Sequence, residues 1–119
     1  MNPNQLIEQL KKLGVELHTA NQKLYESAEE KAKAEREYRK ALAVKELELK
    51  QEGYPATLII DLARGDEKVS LLKLERDKQV AIYESCKYEI NALHDRISIG
   101  QSILAWLKNE FKATNQINE

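Results

Sequence analysis

One cysteine, one tryptophan, one phenylalanine, two prolines and four glycines are all that this chain of 119 residues contains of the types that usually staple, plug or punctuate a fold. A lone thiol, Cys86, forms no internal disulfide, in keeping with a reducing compartment, and its place in an apolar stripe predicts a packed thiol. With aromatics at 6%, the residues that favour strands are scarce. Pro3 and Pro55 and Gly14, Gly53, Gly65 and Gly100 leave long stretches in which nothing stops a helix. A formal charge of -1 supplies no global field toward nucleic acid or an anionic membrane. No apolar run is long enough to cross a bilayer and the opening residues lack a secretory pattern, so the expected location is the cytoplasm, with no membrane partner.

What the chain has is periodicity. Tyr83, Cys86, Ile90, Leu93, Ile97, Gly100, Leu104, Leu107 and Phe111 alternate steps of three and four, the seam of a helix packed against another helix. Leu6, Leu10, Leu13, Leu17, Ala20 and Leu24 repeat that spacing near the start. Between Ala28 and Ala43 the stripe narrows to Ala28, Ala32, Ala34 and Ala41, with Tyr38 and Leu42 larger, and the acid-before-base pairs Glu29–Lys33, Glu35–Arg39 and Glu46–Lys50 support the helix.

Gly53-Tyr54-Pro55 breaks the first helix, and Gly65-Asp66 ends a short second one, with Gly65 expected left-handed and Asp66 the cap of the third. The predicted layout is one all-α domain over 1–119: helix 4–51 capped by Asn4, connector helix 55–64, helix 66–112 and a frayed tail 113–119. Two long helices of matched length predict a long antiparallel coiled-coil hairpin whose partners' numbers sum to about 118. At its tip, Leu58, Ile59 and Leu62 are expected to cover Val44, Leu47, Leu49, Val69, Leu71, Leu72 and Leu74 in a small three-helix core.

Ile99, Ile103 and Trp106 add a second apolar line beside the seam of the third helix. One neighbouring helix does not bury so wide an arc, which predicts a homo-oligomer, a dimer closing into a four-helix bundle, unless the first helix wraps round or the tail folds back with Ile117.

Chemistry-bearing patterns are sparse. His18 and His94, at the expected register, sit about 9 Å apart along the axis and lack metal-ligand spacing, and no phosphate loop or serine elbow occurs, so neither a metal, a cofactor nor an enzyme is expected. Arg64-Gly65-Asp66 reads as helix end, glycine and next cap rather than as an extracellular adhesion tripeptide. Lys33, Arg36, Arg39 and Lys40 form a basic line with Tyr38 as a stacking ring, the candidate for nucleic acid, but Glu29, Glu30, Glu35 and Glu37 interleave with it.

Tyr38-Arg39-Lys40-Ala41-Leu42-Ala43, Gly53-Tyr54-Pro55-Ala56-Thr57-Leu58-Ile59 and Leu62-Ala63-Arg64-Gly65-Asp66, in that order, resemble small uncharacterised helical proteins of phages and prophages of Gram-positive bacteria. The resemblance implies a phage origin, expression in the host cytoplasm, and a context of replication, recombination or host takeover. The residues themselves favour a non-enzymatic protein–protein interaction and assembly protein with a protein partner yet to be identified. The alternative is an accessory binder of nucleic acid acting through Lys33, Arg36, Arg39 and Lys40.

Overall fold

The computed structural model describes residues 2–118, with side chains to residue 114. It is all-α: α1 spans Pro3–Gln51, α2 spans Ala56–Arg64 and α3 spans Glu67–Asn118. The start of α1 differs from expectation, because the cap is Asn2 rather than Asn4. The Gln5 N–H donates to Asn2 Oδ1 at 2.9 Å and the Asn2 N–H donates to Gln5 Oε1 at 3.2 Å, a reciprocal capping box with Pro3 at the first helical position.

α1 stops where the sequence says it must. Gly53 has φ +90, the left-handed conformation that lets the Tyr54 N–H reach back to the Leu49 carbonyl at 3.2 Å. Pro55, extended at φ -62 and ψ 142, then launches α2. Gly65, expected left-handed, is right-handed at φ -78, ψ -11. Its N–H is held by the Asp61 carbonyl, and the Asp66 N–H by that of Ala63, so α2 runs straight into the next cap and needs no special conformation there. Asp66 Oδ2 accepts the Val69 N–H at 3.2 Å and caps α3 as expected. α3 extends to Asn118, past the expected helix end at 112. No glycine or proline follows Gly100, and the Thr114 hydroxyl donates to the Glu110 carbonyl within that last stretch. Glu119 lies outside the described residues.

The chain forms two compact units, Met1–Lys23 with Cys86–Glu119, and Leu24–Ser85. α1 and α3 pack antiparallel in each. In the second unit Lys31 meets Tyr83, Glu35 meets Arg76 and Lys45 meets Asp66, one helix ascending as the other descends. In the first, the contact that sets the register is Leu10 against Gly100: a Cβ added to Gly100 would fall 2.6 Å from Leu10 Cδ2.

That contact corrects the expected register. Numbers summing to about 118 would set residue 100 against residue 18, whereas it meets Leu10, about two helical turns earlier. The second unit shows a similar offset, Glu35 meeting Arg76 and Lys45 meeting Asp66, while Ala43, Leu47, Ala56 and Ile59 line a groove between α1 and α2. α3 therefore starts opposite the stretch of α1 around Lys45. At the other end α3 outruns the start of α1, which explains why Phe111, last of the seam residues, is 67% exposed.

Burial follows the three-and-four spacing along both helices. Leu6, Ala20, Ala34, Tyr38 and Leu49 of α1 and Val69, Ile90 and Leu93 of α3 are buried, with Leu10, Leu13, Leu17, Leu24, Leu104 and Leu107 half-buried between them. The seam crosses polar residues that an apolar-stripe reading passes over. Ser27 is buried, its hydroxyl donating to the Leu24 carbonyl at 2.8 Å, and Lys31 lies with Nζ 4.3 Å from the centre of the Tyr83 ring. Ala32, expected within the stripe, is exposed.

The three-helix core expected around α2 is only partly assembled. Leu49, Ala63 and Val69 are buried and Ile59 and Leu72 half-buried, but Val44, Leu47, Leu58, Leu62, Leu71 and Leu74 are exposed. A nine-residue helix lying along α1 shields one flank and leaves the rest open.

Candidate functional site

In the unit built from Met1–Lys23 and Cys86–Glu119, the line Ile99, Ile103 and Trp106 is set by the seam itself. Once Ile97, Gly100 and Leu104 face α1, residues one step round the helix from them project away from it. Ile99 and Trp106 are 61% exposed and Ile103 44%. α1 does not wrap round to cover them, and the side chain of Ile117 lies outside the described residues.

Beside this ridge runs a groove of about 410 Å³. Leu6, Leu10 and Leu13 of α1 form one wall and Ile99 and Ile103 of α3 the other, with Gly100, against which Leu10 packs, at its floor. Lys12, Glu16 and Arg96 stand at the rim. Sequence reasoning named the ridge but not the groove, because a groove needs Leu10 and Gly100 to be neighbours, and that follows from the corrected register.

A second polar surface lies in the Leu24–Ser85 unit. Glu35 accepts from Arg39 Nε at 2.6 Å and sits 3.5 Å from Arg76 Nη1. The Arg39 hydrogen bond, reinforced by the charges of Arg39 and Arg76 against a smaller opposing effect of burial, holds its carboxyl below the ordinary value of 4.5. Lys45 sits 3.6 Å from Asp66 and 3.5 Å from Glu48; burial works against its charge, but these carboxylates prevail and push its pKa up. These are pairs that fix neighbouring helices, and Lys45, Glu48 and Asp66 also line an open groove of about 400 Å³ between α1 and α3.

Lys33, Arg36, Arg39 and Lys40 are all exposed on α1. Arg39 is tied to Glu35, and Lys33 reaches Glu30 at 3.5 Å rather than the expected Glu29. Tyr38, the expected stacking ring, is not available to a base: it is buried, with Arg76 laid over it at 4.7 Å.

The two histidines also move relative to expectation. Six residues back along α3 from Gly100 correspond to six forward along α1 from Leu10, so residue 94 falls beside residue 16 and not 24. The axial gap to His18 becomes about 3 Å rather than ~9 Å. Both imidazoles are exposed, Gln22 Nε2 lies 3.3 Å from His18 Nε2, and among the described residues no group of three or more His, Cys, Asp or Glu side chains is placed to hold a metal ion. Nor is any helix among the described residues long and apolar enough to cross a membrane.

Comparison with protein-family models, with curated proteins and with solved structures finds no match.

Proposed function

We propose that the chain is a non-enzymatic interaction and assembly protein that self-associates through the exposed edge of α3. The observation that carries this reading is the apolar ridge of Ile99, Ile103 and Trp106 standing beside an apolar groove in the same unit. Burying a large apolar side chain fully is worth ~1.5–3 kcal/mol, so three that are about half exposed represent roughly 3 kcal/mol per copy that association recovers. Tryptophan is also the residue that most often anchors a protein interface.

Two such units packed face to face make a four-helix bundle, with the coiled-coil seam of each copy as its inner layer. The outer helix faces, including the apolar residues left open around α2, then remain available to a different protein. On the resemblance read from the sequence to small phage and prophage proteins, that partner would be a phage or host protein in the host cytoplasm, with the chain as an accessory factor.

Sedimentation equilibrium at micromolar concentration tests the central step. The expected mass is twice 13.7 kDa, and Ile103→Glu, at a site exposed in the single chain, returns it to 13.7 kDa without loss of helix content. A wild-type chain that sediments at the single-chain mass overturns the reading.

A further inference from the structure

The ridge is bounded by charges of opposite sign. Along α3, Arg96, Ile99, Ile103, Trp106 and Glu110 follow steps of three, four, three and four, so all five lie on one line of the helix. Arg96 stands seven residues before Ile103 and Glu110 seven residues after it, about 10 Å to either side. Both are exposed, and neither has an ion-pair partner among the described residues.

A line that is positive at one end, negative at the other and apolar between is complementary to itself only when reversed. We propose, resting on the self-association put forward above, that the occupant of this face is a second copy of the chain laid antiparallel, with a two-fold axis passing beside Ile103. The arrangement sets Arg96 of each copy against Glu110 of the other, whereas a parallel arrangement sets arginine on arginine and glutamate on glutamate.

Shape follows the same axis. Gly100 and Trp106 are each three residues from Ile103, so the two-fold brings the indole of one copy to the axial level of Gly100 in the other. At that level runs the groove walled by Leu6, Leu10 and Leu13 on one side and Ile99 and Ile103 on the other. Each copy thus contributes one large side chain and one recess, and both contacts are made twice.

The area is adequate. The paired stretch of this unit is about 30 Å long and two helices about 20 Å across, roughly 600 Å² per copy, and the turns of α3 beyond the start of α1 add to it. The sum approaches the ~800 Å² per partner of a stable interface. Phe111, which α1 leaves exposed, comes to lie along α3 of the second copy.

Charge exchange and cross-linking test the direction. By sedimentation equilibrium at low salt, Arg96→Glu and Glu110→Arg each weaken the dimer about tenfold, since each creates two like-charged contacts, and the double exchange restores it to within about threefold. In a Cys86→Ser background under mild oxidation, Ile103→Cys links to itself and Arg96→Cys does not, while a mixture of Arg96→Cys and Glu110→Cys chains gives the mixed disulfide. A dimer that ignores both single exchanges, or Arg96→Cys chains that link to each other, overturns the antiparallel arrangement and leaves self-association standing. A single-chain mass for the wild type overturns both, and assigns the face to another occupant.

Discussion

The guanidinium carbon of Arg76 lies 4.7 Å from the centre of the Tyr38 ring, and the same side chain places Nη1 3.5 Å from Glu35 and Nη2 2.9 Å from Asp77. Arg76 occupies a seam position of α3, where the three-and-four spacing asks for an apolar group. It serves as one through its stem and planar face, closing over a buried ring while its nitrogens reach carboxylates at the edge.

Removing that cover has a cost. Arg76→Ala is expected to destabilise the chain by about 1–2 kcal/mol in urea unfolding, from lost packing over Tyr38 together with the cation–π contact. Arg76→Lys recovers less than half, because an ammonium neither stacks on the ring nor spans two carboxylates. Equal stability of the lysine variant and wild type would show that charge alone matters here.

The acid limb of stability reports the same cluster. Glu35 has a folded-state pKa below its ordinary 4.5, so its contribution is fully present above that value and is lost as pH falls through the lower folded value. Unfolding of wild type and Glu35→Gln, compared between pH 7 and pH 3, should show wild type more stable at neutral pH and the difference closing only below 4.5. A difference that persists unchanged to pH 3 excludes ionisation of Glu35 as its cause.

The cluster also marks where sequence reading reached its limit. Leucines at three-and-four spacing announced both helices, and Gly53 with Pro55 announced the break, because apolar period and backbone restriction act locally. The register did not follow, since it depends on contacts made across the pair, and nothing local says which turn of α1 meets which turn of α3. An error of about two turns then hid the meeting of Leu10 with Gly100, and with it the groove. Ser27, Lys31 and Arg76 were missed as seam residues because hydropathy scores the head group and ignores a hydroxyl satisfied within its own helix or a stem laid on an aromatic ring. Ile99, Ile103 and Trp106 were legible as a line because they share one helix, whereas their groove belongs to two.

The two connector glycines should respond in opposite ways to alanine. Gly53 at φ +90 is strained by any side chain, and Gly53→Ala is expected to cost about 1–2 kcal/mol. Gly65 is right-handed, and a Cβ there would stand 3.4 Å from the Asp61 carbonyl oxygen, an ordinary contact. Gly65→Ala should therefore stabilise by about 0.4–1 kcal/mol through the unfolded chain. Thermal melts of the two variants give opposite shifts if the backbone angles are as described.

Gly100→Ala tests the closest approach of α1 and α3. A Cβ at 2.6 Å from Leu10 Cδ2 forces that leucine to turn, and the room available to it is the groove. Overpacking costs ~1–3 kcal/mol while replacing a mid-helix glycine returns ~1, so a net loss of about 1 kcal/mol is expected. Because the added methyl occupies space that Leu10 vacates, Leu10→Ala should cost distinctly less in the Gly100→Ala background than alone, a coupling that a double-mutant cycle measures. Additive effects would mean the two residues do not touch.

The basic line on α1 is the last feature with a competing function to decide. Lys33 and Arg39 face glutamates at 3.5 and 2.6 Å, so a phosphate must displace an existing partner at two of the four positions, and Tyr38 is shut beneath Arg76. Two unencumbered cations give a shallow salt slope and weak attachment. Titration of labelled single- and double-stranded DNA is expected to show no binding at physiological salt and, at low salt, a signal that Arg36→Ala and Lys40→Ala reduce alike. Tight binding whose logarithmic salt slope implies four or more phosphate contacts would instead make Lys33, Arg36, Arg39 and Lys40 a nucleic-acid surface, since a slope that steep requires Arg39 and Lys33 to leave their glutamates.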